Sequence, residues 1–212
     1  MNENKKVEFA LKNFPGFSPR VIRSYNNLPV DGFLKPGEIF RERRFSRVKF
    51  KDGISEVLNQ DEFFQDVSLN SYAGGLHRKF ELVDDSVCSE FCVVYINNVC
   101  PLVGGFNAEV GFHQLRITCS EKYVGYPTPE GWHRDGFDYV SIICVSASNI
   151  CGGVSHIREE LDSTNAYFTK TMLPSEIIIL NDKRFYHCTD PIKILDKGKI
   201  GYRDILVMTI SV

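Results

Sequence analysis

DYVSIICVS (138–146), AYFTKTML (166–173), EIIIL (176–180) and DILVMTISV (204–212) are the stretches that decide the fold. Each is short and rich in β-branched and aromatic residues. Turn signals separate them: Gly152-Gly153, Pro174-Ser175 and Asp196–Gly198. That combination reads as strands joined by turns. HQLRITCS (113–120) belongs to the same series, and no helical periodicity intervenes from about residue 106 onward. A doubly wound α/β sheet needs helices between its strands and is excluded on that ground. The expected class is mainly β with flanking helices, a β-sandwich or jelly roll.

Working outward, two helices are expected before this β region. Ser18-Pro19 reads as an N-cap followed by proline in the first helical position, with Val21, Ile22 and Tyr25 on one face. Asp84, Asp85 and Ser86 open a longer helix whose positions Val87, Phe91, Val94, Tyr95 and Val99 follow the 3.6-residue period. Pro101 and Gly104-Gly105 are expected to end it. The chain divides accordingly into an N-terminal helical and strand flank (1–105) and a β core (106–212) of one domain, 1–212.

The 212 residues carry 25 Lys+Arg against 27 Asp+Glu, with 43% hydrophobic and 25% charged side chains. These values exclude disordered and collagen-like classes and leave room for a substantial core. No apolar run approaches the ~18 residues of a membrane span. MNENKKVEFALKNF has no apolar stretch of the kind a secretory leader needs. Seven cysteines without a CxxC read as reduced core thiols, not as a disulfide framework or structural zinc site. A cytoplasmic location is expected. The sequence does not fix the oligomeric state.

Residues 1–60 hold 12 basic and 7 acidic side chains. Arg41, Arg43, Arg47, Lys49 and Lys51 would share one face of a strand. That face reads as solvated, in preference to an anion or nucleic-acid site. No GxGxxG, P-loop or G-x-S-x-G is present.

PEGWHRDG (129–136) is the sharpest chemical feature. His133 and Asp135 are two apart, so an extended segment presents both to one point. A further histidine would complete a two-histidine, one-carboxylate facial triad with open coordination positions. His187, in LNDKRFYHCTDP, is the best third ligand. The alternative reading of His133 is a loop histidine paired with Asp135. Arg203 enters an apolar final strand, where an isolated guanidinium needs an anion. Its planar fork suits a carboxylate, whether of a bound dicarboxylic acid or of a structural Asp or Glu. Gln114, Arg116 and Thr118 share the polar face of HQLRITCS, directed either to a pocket or to solvent. Asp138 is either an acceptor for a ligand's amino group or a turn acid. His77, His113 and His156 read as structural or surface residues.

These blocks, in this order, resemble the 2-oxoglutarate/Fe(II)-dependent dioxygenases, within them the bacterial free-amino-acid dioxygenases that include L-isoleucine 4-hydroxylase. LPVDGF (28–33), FRERRFSRVKF (40–50), FFQDVSLNSYAGGLHRKF (63–80) and GGVSHI (152–157) extend the likeness to roughly 28–212. CVSASN (144–149) departs from it, standing where a more polar, Arg-containing segment is expected. Were that segment in the pocket wall, substrate identity would be the point of difference. The resemblance implies a double-stranded β-helix (jelly roll, cupin-like) core. It implies Fe(II) on His133, Asp135 and His187, with O2 as oxidant and 2-oxoglutarate as cosubstrate. The far carboxylate of 2-oxoglutarate would sit on Arg203, and Gln114 and Arg116 would line the cosubstrate site. A zwitterionic substrate would be read by Arg116 with Asp138. Arg203 is followed by Asp204-Ile205, so the Arg-x-Ser pair of some relatives is absent and the hydroxyl beside that carboxylate must come from elsewhere. The implied reaction hydroxylates an aliphatic carbon of a free L-amino acid and releases succinate and CO2. No nucleic-acid or membrane partner is implied. The competing functions are hydroxylation of a protein side chain or nucleobase, motivated by the basic 41–51 stretch, and a non-catalytic jelly-roll binding module.

Overall fold

The computed structural model describes residues 6–59 and 62–212; residues 1–5, part of the lysine-bearing N-terminus read above, lie outside the described residues. In chain order the strands are β1 (Phe9–Asn13), β2 (Arg41–Lys51), β3 (Ile54–Leu58), β4 (Glu62–Phe63), β5 (Arg78–Lys79), β6 (Ala108–Cys119) and β7 (Tyr139–Ser148). They continue with β8 (Ile150–Gly152), β9 (Val154–Arg158), β10 (Phe168–Thr171), β11 (Glu176–Asn181), β12 (Tyr186–Thr189), β13 (Ile192–Ile194) and β14 (Gly201–Ser211).

Seven strands form an antiparallel major sheet in the order β1-β11-β7-β14-β6-β2-β3, and β10-β9-β12 form a minor sheet. This is the jelly roll expected of the strand series. The division at residue 105 does not follow the layers, because β1, β2 and β3 are strands of the major sheet. Strand β1 carried no legible signal; FALKN becomes an edge strand because Ile177–Leu180 of β11 offers it a partner. A register shift between Asp204 and Ile205, opposite Ser146 and Cys144, marks a bulge in the β14–β7 ladder.

One face of the major sheet packs on the helices. Helix α1 (Pro19–Ser24) starts where Ser18 accepts the Val21 N–H at 3.4 Å. Val21 and Tyr25 are fully buried, whereas Ile22, expected beside them, points to solvent. Helix α2 (Asp85–Val94) buries Val87, Phe91 and Val94 and runs on without a break. A π-helical turn (Tyr95–Val99) is followed by α3 (Cys100–Val103), so Pro101 does not end the helix as expected. Proline sits in the first turn of α3, after the wider π turn, where its missing N–H removes no regular bond. The left-handed Gly104 (φ 69°) is the terminator. By length and composition the helical run Asp85–Val103 could cross a membrane; half of it is buried in the protein.

The other face of the major sheet looks toward the minor sheet. Along β14, Arg203, Ile205, Val207 and Thr209 face this interior, and Asp204 faces back toward the helices. There Arg116 grips Asp204 through two bonds of 2.6 and 2.9 Å, Ser146 adds a third at 2.7 Å, and Arg116 lies over the Tyr202 ring. Asp204 is completely buried, so removing its partner strands a charge. Arg116→Ala is expected to destabilise the fold by about 3–5 kcal/mol, read as a fall in Tm, with no loss of 2-oxoglutarate affinity in the folded fraction.

Candidate active site

The minor sheet positions the two histidines. His133 and His187 form an isolated antiparallel bridge, N–H to carbonyl at 3.1 and 3.0 Å in the two directions, which brings their rings to 4.3 Å. Asp135 completes the group: Oδ1 lies 3.8 Å from His133 Nε2, and Oδ2 lies 3.5 Å from His187 Nε2. One ligand atom from each of His133, Asp135 and His187 lies within 4.8 Å of the others.

The two histidines differ in protonation. His133 Nδ1–H donates to the Gly131 carbonyl at 2.9 Å, so Nε2, on the side of Asp135, is the nitrogen a metal would use. Burial, with His133 beside it, pushes the His187 imidazole down to about 3, so it is neutral. Burial also opposes charge on His133, but Glu130 and Asp135 together raise its pKa above the ordinary value. Once a metal displaces the His133 proton, two imidazoles and a carboxylate suit Fe(II) with open positions for other ligands.

Two supports hold Asp135. Gln65 donates to its Oδ1 at 3.0 Å, and Gln65 in turn accepts from Asn70 (3.1 Å) and Arg78 (2.8 Å). From beneath, the Asp182 carboxylate accepts the backbone N–H groups of Asp135, Gly136 and Phe137 at 3.1, 2.7 and 3.0 Å. Burial and the nearby Asp135 raise Asp182 to about 6. Gly136 has φ 89°, and a Cβ there would lie 2.5 Å from Leu69, so the turn requires glycine. Neither support was singled out in the sequence; the signals are the Gln in FFQDVSLN and the Asp just after the EIIIL strand. Asp182→Ala is expected to weaken Fe(II) binding about 10- to 100-fold, with Asp182→Asn recovering part through its remaining carbonyl oxygen. The check is the iron dependence of turnover, measured beside Tm.

A cavity lies between the sheets, with the three residues on its wall. Arg203 reaches it from the major sheet, only 3% exposed. Its hydrogen-bond partner is Ser155 Oγ at 3.3 Å, and among the described residues no carboxylate lies within ion-pair distance of it. Ser155 thus supplies a hydroxyl beside the Arg203 guanidinium, from β9 and not from β14. Gly152 (φ 84°) makes the turn into β9 possible, since a Cβ there would lie 2.2 Å from the Pro191 carbonyl.

Three expected site residues are elsewhere. Gln114 and Arg116 face the helices: Gln114 donates to Ser24 at 2.7 Å and Arg116 is held by Asp204. Strand alternation turns His113 and Leu115 into the cavity instead. Asp138 sits outside, paired with Lys183 and accepting the Val212 N–H. The CVSASN segment is absent from the described cavity wall, where Ile142 represents β7. Arg41 and Arg43, expected in solvent, are 7% and 5% exposed and line the cavity. His113 is buried there as an acceptor: Arg43 donates to its Nδ1 at 2.6 Å, so its Nε2–H faces Thr209.

The 2OG-Fe dioxygenase family profile matches residues 22–209. The chain belongs to this family. Membership makes the protein an enzyme, a dioxygenase whose cofactor set is Fe(II), 2-oxoglutarate and O2. Among curated relatives, L-isoleucine-4-hydroxylase of Bacillus thuringiensis is 26% identical over 200 residues, 88% of this chain and 80% of that one. The 3(1)-hydroxy-L-isoleucine 4-dioxygenase of Pantoea ananatis strain AJ13355 is 22% identical, covering 88% of this chain and 78% of the relative. The solved bsmA homolog of Methylobium petroleophilum PM1 superposes with a TM-score of 0.77 at 26% identity, over 91% of this chain and 79% of that one.

Proposed function

We propose that this dioxygenase hydroxylates an aliphatic carbon of a free L-amino acid. In this reading His133, Asp135 and His187 hold Fe(II), and Arg203 with Ser155 takes the far carboxylate of 2-oxoglutarate. One observation carries it: a buried guanidinium opens on the triad's cavity with only a neutral hydroxyl as partner, a cost that a bound dicarboxylate removes. When bound, iron and 2-oxoglutarate supply the oxidant, one oxygen of O2 going to succinate and the other to substrate, with CO2 released.

The chain's own part is to orient and to exclude water. Gln65 and Asp182 fix Asp135, and the His133–His187 bridge fixes the imidazoles. Leu115, Ile142, Ile205 and Val207 give the cavity an aliphatic wall, which suits an apolar side chain. The names of the two curated relatives, both concerned with isoleucine, support the substrate class. The basic stretch that motivated a macromolecular substrate loses Arg41 and Arg43 to the cavity interior. A cytoplasmic location and a small-molecule substrate are parts of the same proposal.

The test is a screen of the twenty L-amino acids for substrate-stimulated succinate release with iron and ascorbate. Mass spectrometry of the favoured amino acid should show a gain of one oxygen, matched by succinate. Oxygen gained by a peptide, protein or nucleic acid, and by no free amino acid, would replace this reading.

A further inference from the structure

The cavity holds more charge than iron and cosubstrate use. Arg41, Arg43 and Arg78 line it, and among the described residues Asp31 is the one carboxylate within ion-pair distance of them. Arg41 Nε donates to Asp31 at 2.7 Å, but Arg43 Nη1 is 4.0 Å away and, among the described residues, the side-chain hydrogen bond of Arg78 is to neutral Gln65. Among the described residues, buried Arg41 Nη2 and Arg43 Nε have no hydrogen-bond partner. Burial lowers the Arg43 pKa to about 9, and Asp31, although buried, is held below its usual range by Arg41 and Arg43. This pole is an excess of buried positive charge with free donors.

Glu130 is its opposite. It lines the same cavity with its side chain 11% exposed; Oε1 lies 3.4 Å from His133 Nε2, and buried Oε2 has no hydrogen-bond partner among the described residues. The Nδ1–H bond to Gly131 leaves His133 Nε2 as the nitrogen a metal would take, and with a metal there it has no proton to give Glu130. Glu130 is not within the group of atoms that can share one ion. Arg78 and His133 act on Glu130 by charge, but among the described residues neither bonds its buried Oε2, and an ammonium group from a ligand would give that oxygen a partner.

We infer that Glu130 receives the ammonium group, and the Arg41–Arg43 pair the carboxylate, of the amino-acid substrate. The inference rests on the proposed function and names the residues that read the zwitterion, in place of Arg116 and Asp138. Arg203 serves the cosubstrate, so the two carboxylates entering the cavity have separate guanidinium partners. Arg41 and Arg203 stand in one row across the sheet, both paired with Ile117 of β6 on opposite sides. The carboxylate poles are therefore two strands apart.

The experiment measures binding by calorimetry, without oxygen, to protein loaded with Fe(II) and 2-oxoglutarate. Its probes are the tightest-binding of the twenty L-amino acids and two analogues, one lacking the amino group and one the carboxylate. For isoleucine these are 3-methylpentanoic acid and 2-methylbutylamine. Glu130→Gln is expected to weaken the amino acid about 10- to 150-fold while leaving the des-amino acid unchanged. Arg41→Gln is expected to weaken both acids and spare the amine. Because that change strands Asp31, the Asp31→Asn/Arg41→Gln double variant repeats the test with a neutral pair. Unchanged selectivity in Glu130→Gln, with weaker iron binding, would make Glu130 a metal-site residue and overturn the inference. So would a loss of 2-oxoglutarate affinity in the Arg41 variants equal to the loss for the amino acid. Binding of the amino acid with selectivity unmoved in both variants sinks this inference alone. Failure of every amino acid to bind the unaltered protein sinks the proposed function with it.

Discussion

Alanine in place of His133, Asp135 or His187 is expected to take succinate release below about one-hundredth of the unaltered enzyme. Loss of a residue that merely supports a metal ligand already costs about 10- to 100-fold, and loss of the ligand itself must exceed that. The three side chains come from one bridge and one turn, so each variant leaves the other two in place. Iron titration and Tm separate lost ligation from lost fold. Asp135→Ala should also relieve Asp182, whose pKa is raised partly by that carboxylate. Near-normal turnover by any one variant removes that residue from the ligand set.

Arg203→Ala is expected to raise the 2-oxoglutarate requirement by about 1.5–3 kcal/mol, the scale of a charged hydrogen bond. Arg203→Lys should recover part of this, since the charge persists without the planar fork. Ser155→Ala should show a smaller effect of the same kind, because it removes a neutral hydroxyl 3.3 Å from the guanidinium. The comparison with Arg116→Ala is decisive: one substitution should change cosubstrate affinity and the other Tm. An unchanged 2-oxoglutarate dependence in Arg203→Ala would transfer the role to Arg41 or Arg43.

The meeting of His133, Asp135 and His187 was legible because its information is local. His133 and Asp135 are fixed by their spacing, and His187 lies in the one downstream block with the right surroundings. Strands β6, β7, β11 and β14 were legible for the same reason, as apolar runs between turns. The second carboxylate pole was not, because β-strand alternation gives two faces and no rule for which is inward. Polarity suggested that Gln114 and Arg116 faced the cavity, whereas a buried partner, Asp204, drew Arg116 to the opposite side. The same ambiguity hid Arg41 and Arg43, which read as solvated until Asp31, ten residues before Arg41, was found folded against them. Pro101 misled for a different reason: a π turn ahead of it is a tertiary accommodation that helix-ending rules do not anticipate.

Strand β14 has a consequence for which changes this protein can accept over time. Its successive residues serve opposite sides of the sheet, Arg203 the cavity and Asp204 the helix side. Loss or gain of one residue just ahead of them would exchange the two, presenting a carboxylate to an incoming dicarboxylate and a guanidinium to Arg116. Both sites would then fail together, although every residue type was still present. Along this segment, chain length is therefore under tighter constraint than side-chain chemistry, and drift should occur by substitution and not by insertion or deletion.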